Sequence, residues 1–192
     1  MVEWITQLDF SVLYRIQDIF RCPALDFLMP KITFLGNAGL IWLLTAGVLI
    51  LIPKYRRTGL LLLAGLAAGV LVGNVAMKNL FARPRPCWVD TAVQLLVSVP
   101  ADYSFPSGHT LSSVIAATVL TAADSRFALF AVPLASLIAF SRLYLFVHFP
   151  TDVLASVILG VAIGLIVWKI GGRGLDKVSS YMTILKNKSQ MS

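Results

Sequence analysis

The sequence predicts an all-α protein: a single-domain, polytopic bundle of transmembrane helices that uses all 192 residues. Hydrophobic residues make up 58% of the chain and charged residues only 13%, whereas a soluble domain is about half apolar and a quarter charged. The apolar residues come in long runs, and about 20 helical residues cross the hydrocarbon core of a bilayer. The chain shows no internal repeat and no low-complexity linker, so we expect one bundle embedded in the cell membrane.

The first 21 residues predict an amphipathic helix that lies in the membrane interface. Apolar residues recur there at spacings of three and four, as they do on one face of a helix. These residues are Ile5, Leu8, Val12, Ile16 and Ile19. Charged residues make the segment too polar to span a bilayer; they are Glu3, Asp9, Arg15 and Asp18. Two alternatives stay open: a helix packed on the bundle as in a soluble protein, and a sixth span within residues 1–27.

Five later segments predict membrane spans, at about 28–52, 59–77, 106–123, 127–146 and 150–170. In the first of them, Pro30 and the Gly36-Asn37 pair predict an irregular first half. The second and fifth spans carry glycine at every fourth position, which lets a neighbouring helix approach closely. These glycines are Gly65, Gly69 and Gly73 in the second span and Gly160 and Gly164 in the fifth.

The distribution of basic residues predicts which ends of the spans face the cytoplasm. Nine lysines and arginines fall on one side, in the 54–57 turn, the 124–126 turn and the C-terminal segment; they are Lys54, Arg56, Arg57, Arg126, Lys169, Arg173, Lys177, Lys186 and Lys188. By the positive-inside rule this side, with the basic tail 171–192, is cytoplasmic. The N-terminal helix, the long connection 78–106 and the 146–150 turn then lie on the outer side. The net charge of +7 is explained by these loops, so we expect no nucleic-acid partner.

Three polar clusters meet on that outer side. The first is a lysine followed by an Arg-Pro pair, Lys78 and Arg85-Pro86. The second is the run Pro106-Ser107-Gly108-His109. The third is Ser141-Arg142, then His148, then Asp152, in the turn between the fourth and fifth spans. Both histidines of the chain belong to these clusters.

With these clusters the sequence resembles the type 2 phosphatidic acid phosphatases, also called lipid phosphate phosphatases. The three signatures of that family are K-x6-RP, PSGH and SR-x5-H-x3-D, and the chain matches all three in full and in order. The resemblance implies a membrane-embedded lipid phosphatase. Many bacterial relatives have an additional first span, so the departure of this chain from the family lies at its N-terminus.

Elementary chemistry leads to the same site. A phosphate ester needs its charge neutralised, and Lys78, Arg85 and Arg142 supply three cations for this purpose. Ser107 and Gly108 would add hydroxyl and backbone donors. Helices that begin at Pro106 and Pro150 would point N-terminal N–H groups at the same place, an arrangement that favours anions.

The two histidines have different predicted roles in the reaction. His148 has a carboxylate four residues on, and Asp152 would hold one imidazole nitrogen so that the other can attack phosphorus. His148 is therefore the predicted nucleophile, through a phosphohistidine, and His109 the general acid; the resemblance implies the same roles. The acidic residues are too scattered for a two-metal site, so we expect no metal and no cofactor.

Several nearby residues receive weaker interpretations. Arg83 also precedes a proline, but the spacing selects Arg85, so Arg83 contacts either phosphate or the loop and lipid headgroups. Asp90, Asp102 and Tyr103 are interpreted as residues that shape the loop. Cys22 and Cys87 could both lie outside, where a disulfide between them is an open alternative.

A site at the edge of the bilayer predicts a lipid phosphate or diphosphate as substrate. The resemblance implies undecaprenyl diphosphate, phosphatidylglycerol phosphate or phosphatidic acid, and the absence of a large outer domain favours the first. A catalytically silent lipid-binding or transport protein should lack His109, His148 or Asp152, and this chain keeps them. The vanadate-dependent haloperoxidases share the phosphate-type pocket but are soluble.

Overall fold

The computed structural model describes residues 3–171, and all the regular structure within that range is helical. The α-helices are α1 (Glu3–Phe20), α2 (Pro23–Leu35), α3 (Leu40–Leu51), α4 (Arg56–Gly69), α5 (Lys78–Phe81), α6 (Pro86–Val89), α7 (Gly108–Ala123), α8 (Ala128–Tyr144) and α9 (Pro150–Ile166). A π-helical segment, Val70–Met77, joins α4 to α5, and another, Val167–Gly171, follows α9. The predicted basic tail lies outside the described residues, apart from Gly171.

Three helical stretches of the described chain are long and apolar enough to cross a membrane: Pro53–Val89, Ser125–Tyr144 and Pro150–Gly171. A fourth candidate is the pair Pro23–Leu35 and Asn37–Leu51, which is bent by 48°. The remaining predicted span, α7, has only 16 residues, about 24 Å of helix. Length and composition thus support three or four spans, and the predicted count of five depends on α7.

Helix α7 is the centre of the bundle, because its side chains are buried on several faces and it packs against α4, α8 and α9. Both predicted glycine stripes face it. A Cβ at Gly65 would lie 2.8 Å from Ile115, and one at Gly160 would lie 2.8 Å from Val114. These distances are shorter than van der Waals contact, so the glycines let α4 and α9 approach α7 closely.

The first predicted span is irregular at the expected place. Pro30 lies inside α2, and α2 ends at a bend in which Ala38 and Gly39 take the left-handed conformation, with φ of 50° and 70°. This conformation is strained for alanine. The bend lies beside the N-terminal end of α7, since a Cβ added at Gly36 would lie 2.7 Å from His109.

Helix α1 confirms the predicted N-terminal helix, but of the predicted apolar face only Ile16 is buried in the protein. Its buried residues are Asp9, Leu13 and Ile16, which pack on the turn between α8 and α9. Leu8 and Ile19 are exposed, at 56% and 68%. The helix therefore has two faces, an apolar one free to meet lipid and a protein-facing one that carries a carboxylate.

Candidate active site

The three predicted clusters line one cavity of about 810 Å³. Its polar end is formed by the C-terminal end of α8, the turn before α9, the start of α7 and the connection after α4. Of the predicted site residues, the cavity is lined by Lys78, Arg85, Gly108, His109, Arg142 and His148. Toward the other end the lining is mostly apolar and comes from the bent α2–α3 pair and from α4; it includes Pro30, Phe34, Leu43, Leu63, Leu66 and Val70.

Three cations are buried at the polar end of this cavity: Lys78, Arg85 and Arg142 are 6%, 2% and 5% exposed. Lys78 and Arg85 both pair with Asp102, with Arg85 Nη2 at 2.6 Å from Oδ1. Arg142 donates to Thr33 through Nη1, while its buried Nε has no hydrogen-bond partner among the described residues. Because an orphaned guanidinium donor is costly to bury, this position suits an anion.

Asp102, interpreted from the sequence as a loop residue, is the counterion of the two cations. Burial alone would raise its pKa, but the hydrogen bonds and charges of Lys78 and Arg85 outweigh burial and hold the pKa of Asp102 at about 2. The carboxylate is therefore ionised at every physiological pH. A phosphate that binds Lys78 and Arg85 must compete with Asp102 or share them with it.

The imidazole ring of His148 has a charged neighbour at each nitrogen, Arg85 at Nε2 and Asp152 at Nδ1. Arg85 Nη1 lies 3.0 Å from Nε2, and since a guanidinium can only donate, Nε2 must accept. The proton then resides on Nδ1, which faces Asp152 Oδ2 at 3.6 Å. That distance is longer than a hydrogen bond, and catalytic contacts of this kind often tighten when substrate binds. The lone pair of the imidazole is therefore on Nε2, the nitrogen nearest the cations, where it accepts from Arg85.

Burial keeps the His148 imidazole neutral. The side chain is 1% exposed, and burial, aided by the charges of Arg85 and Arg142, lowers the pKa of His148 to about 3 despite the opposing effect of Asp152. A neutral imidazole is the form that attacks phosphorus.

Asp152 is fully buried at the start of α9 and lies behind His148 rather than in the cavity lining. Its Oδ2 accepts from the backbone N–H of Phe149 at 2.9 Å and from the hydroxyl of Ser104. Its Oδ1 accepts from Arg83 at 2.6 Å. These bonds fix the carboxylate to the turn, to the connection before α7 and to the segment after α5.

Arg83 contacts the loop, as one of the two interpretations from the sequence had it: its carbonyl accepts from the N–H of Ser104, while its guanidinium binds two carboxylates. It is 5% exposed, absent from the cavity lining, and bound to Asp152 on one side and to Asp9 of α1 on the other, at 2.7 Å. Its guanidinium also lies 4.0 Å from the centre of the Phe149 ring. Arg83 therefore links the N-terminal helix to the carboxylate behind His148.

The start of α9 differs from the expected anion site. The first free N–H group there, on Thr151, donates to Asp9 Oδ1 at 3.0 Å, and the N–H of Asp152 donates to the carbonyl of Phe149. The expectation that this end of α9 points at phosphate is wrong, because a carboxylate of the protein already occupies it. Helix α7 is capped by Ser107, whose fully buried hydroxyl accepts from Thr110 and lies outside the cavity lining, while Gly108 lines the cavity.

His109 lines the same cavity as His148 and contacts the bend after α2. Its Nε2 lies 2.8 Å from Asn37 Oδ1, so the amide oxygen accepts when Nε2 carries the proton. Sequence reasoning used Asn37 only as a sign of irregularity. It also missed Asp9, Ser104 and Thr33, since each acts on a residue distant in sequence.

Two further predictions concern cysteine and metal. Cys22 and Cys87 are both free, and Cys87 is buried, so the alternative of a disulfide between them is wrong. Within residues 3–171 no group of three or more His, Cys, Asp or Glu side chains is arranged to hold a metal ion.

The helical bundle and the cationic, histidine-bearing cavity define a membrane-embedded enzyme that acts on phosphate groups. A family model described as the PAP2 superfamily matches residues 58–174. Undecaprenyl-diphosphatase of Sulfolobus acidocaldarius is 30% identical over 155 residues, which cover 80% of this chain and 74% of that protein.

Two solved structures share the fold. LpxE of Aquifex aeolicus matches with a TM-score of 0.74 and 27% identity, over 84% of this chain and 95% of that one. A PAP2 type phosphatidylglycerolphosphate phosphatase of Bacillus subtilis matches with a TM-score of 0.70 and 27% identity, over 92% and 88%. The chain belongs to the PAP2 superfamily, and it is a membrane lipid phosphatase.

Proposed function

We propose that the chain hydrolyses the phosphate of a membrane lipid through a phosphohistidine on His148. The observation that carries the proposal is the cavity itself: one end gathers three cations and both histidines, and the other end is walled by apolar side chains. A lipid phosphate has this division, with an anionic head and a hydrocarbon tail. Lys78, Arg85 and Arg142, with the backbone at Gly108, would bind the phosphate oxygens, and Ser107 would fix the turn that presents Gly108.

In the first step Nε2 of His148 attacks phosphorus, and the bond from phosphorus to the lipid oxygen breaks. His109 gives its proton to that oxygen, so the lipid leaves neutral at this atom. In the second step water attacks the phosphohistidine, His109 takes the proton from this water, and inorganic phosphate leaves. Asp152 stabilises the charge that develops on the imidazole. Every proton is returned, and the mechanism needs no metal.

Among lipid substrates we propose undecaprenyl diphosphate first, with phosphatidylglycerol phosphate and phosphatidic acid as the alternatives. The support is the resemblance to undecaprenyl-diphosphatase along 80% of the chain. A phosphatidylglycerolphosphate phosphatase is among the solved structures with this fold, so the panel of substrates must include that lipid.

We also propose five spans, with α7 as the third, and an active site on the outer face of the cell membrane. The basic residues of the connections support this orientation. Lys54, Arg56, Arg57 and Arg126 belong to connections that alternate along the chain with those that carry the polar end of the cavity. The C-terminus would then be cytoplasmic.

The test is phosphate release by the purified full chain in detergent, from each of the three lipids, with and without a chelator. We expect release from at least one lipid, unchanged by the chelator and abolished in His148→Ala. Loss of activity in the chelator would refute the metal-free mechanism. Wild-type turnover by His148→Ala would refute the role of His148.

A further inference from the structure

We infer that Asp9 and Arg83 are positioning residues for the Asp152–His148 pair, so that the N-terminal helix α1 is part of the catalytic apparatus. The inference rests on the proposed role of His148. It goes beyond the family match, because that match begins at residue 58, whereas Asp9 lies in α1.

The first observation is a closed set of hydrogen bonds. Arg83 donates from Nη2 to Asp9 Oδ2 at 2.7 Å and from Nη1 to Asp152 Oδ1 at 2.6 Å. The Thr151 hydroxyl donates to Asp9 Oδ2 at 2.6 Å, and the Thr151 N–H donates to Asp9 Oδ1 at 3.0 Å. Asp9 thus holds both the guanidinium that binds Asp152 and the backbone one residue before it.

The second observation is burial. Asp9 is 2% exposed, Arg83 5% and Asp152 0%. Charges removed from water this completely are expensive unless each is paired and hydrogen-bonded. One guanidinium is shared here by two carboxylates, and the second carboxylate, Asp9, also lies at the positive end of the α9 dipole, which stabilises it. The arrangement is therefore specific: the planar fork of arginine can face two carboxylates at once, and the single charge of lysine cannot do so in the same way.

The third observation is that these hydrogen bonds act on Asp152, the carboxylate that faces His148. Asp152 uses Oδ1 for Arg83 and leaves Oδ2 to face His148 Nδ1 at 3.6 Å. Ser104 and the Phe149 N–H also hold Oδ2, so the carboxylate is fixed at both oxygens. If Arg83 shifts, Oδ1 loses its bond, the restraint on rotation of the carboxylate about its bond to Cβ weakens, and the oxygen that faces the imidazole is held less firmly. Arg83 and Asp9 touch neither the cavity nor any group that reacts, so their effect on the reaction passes through Asp152.

The experiment compares Asp9→Asn and Arg83→Lys with a matched control, Asp18→Asn, which lies on the exposed face of the same helix. We measure kcat and KM for the lipid substrate and the thermal unfolding midpoint in detergent. Outer-shell groups that orient metal-ligating side chains typically change affinity or activity 10- to 100-fold when they are mutated, and Arg83 and Asp9 would orient a nucleophile in the same way. We therefore expect kcat to fall by about that factor in Asp9→Asn and in Arg83→Lys, with KM within about twofold, and Asp18→Asn to match wild type.

A double substitution separates positioning from folding. Arg83→Gln alone leaves two buried carboxylates without a cation, and Asp9→Asn added to it removes one of them. The double variant should unfold at a higher temperature than Arg83→Gln while kcat stays at least as low, because removing the charge of Asp9 does not restore the bond from Arg83 to Asp152. Recovery of kcat along with the unfolding temperature would overturn the inference in favour of a purely structural role.

Two further outcomes are decisive. If kcat of Asp9→Asn stays within twofold of wild type while His148→Ala is inactive, the positioning inference is wrong and the proposed function stands. If His148→Ala is as active as wild type, the proposed function itself fails, whatever Asp9→Asn does.

Discussion

Replacing Asp152 with asparagine tests the proposed orientation of the nucleophile, because the substitution keeps the shape of the side chain and removes its charge. Every partner of Asp152 outside the imidazole is a donor: Arg83 faces Oδ1, while Ser104 and the N–H of Phe149 face Oδ2. An amide group has one acceptor and one donor end. Whichever way the new amide turns, its NH₂ group therefore meets a donor.

The two orientations have different costs. With NH₂ toward Arg83, the amide and the guanidinium place two buried donors against each other, which costs about 1–3 kcal/mol of stability. Arg83 keeps its bond to Asp9. With NH₂ toward His148, the Ser104 hydroxyl can turn and accept, so the Phe149 N–H alone meets a donor and the charged guanidinium keeps its acceptor. In this favoured orientation the amide also donates to Nδ1 and places the ring proton on Nε2, which removes the attacking lone pair. In a serine-protease triad the corresponding substitution lowers kcat by about 10⁴ through the wrong tautomer, and we expect a loss of that order in Asp152→Asn.

The assay is phosphate release at saturating substrate, together with thermal unfolding of the same preparation. We expect turnover to fall by several orders of magnitude, while the protein still unfolds cooperatively at a moderately lower temperature. Alanine is the poorer choice, since it would also leave Arg83 without one of its two carboxylates. An Asp152→Asn enzyme within tenfold of wild-type turnover, beside an inactive His148→Ala, would refute the orienting role.

Distances and charges at the site lead to three other predictions. Gly36→Ala should lower kcat, because the new Cβ would lie 2.7 Å from the His109 ring, whereas Gly47→Ala, with nothing within 4 Å of its Cβ, should match wild type; equal kcat in the two variants would contradict this. Asp102→Asn should strengthen inhibition by inorganic phosphate about three- to tenfold, since a competing carboxylate is removed; weaker inhibition would mean that Asp102 instead positions its two cations. Finally, the pKa of His148 is lowered from 6.5 to about 3, so the unfolded chain takes up a proton below pH 6.5 that the native protein does not. Between pH 7 and pH 5 the wild-type protein should therefore lose about 2 kcal/mol more unfolding free energy than His148→Asn does. A difference between the two proteins that is the same at both pH values would contradict this.

Much of the fold could be predicted from local pattern. The glycine stripes identified two helices, α4 and α9, that approach a neighbour closely, and Pro30 with Gly36-Asn37 located the bend in the first span. Span count was harder, because α7 is surrounded by other helices and has only 16 residues. The predicted connection 78–106 begins later than expected, since Lys78 is still helical as part of α5.

The site was predictable to the extent that its residues belong to dense motifs. Lys78, Arg85, His109, Arg142 and His148 all line one cavity, as their spacing and the resemblance predicted. What could not be predicted was how the charges pair.

Asp9 stands in the sequence as one of four charges on an amphipathic helix, and nothing local distinguishes it from Asp18. Only the folded chain brings Asp9 to Arg83, 74 residues away. The interpretation of Asp102 as a loop residue failed for the same reason, because its partners lie 24 and 17 residues before it.

The bend between α2 and α3 has a kinetic consequence. It forms part of the apolar wall of the cavity. Two hydrogen bonds join this region to the polar end, one between Thr33 and Arg142 and one between Asn37 and His109. A lipid tail that fits poorly and pushes this wall outward would break both hydrogen bonds at once. The length of the lipid tail would then affect the turnover rate as well as the affinity, because binding energy far from the phosphate is used to assemble the reacting groups.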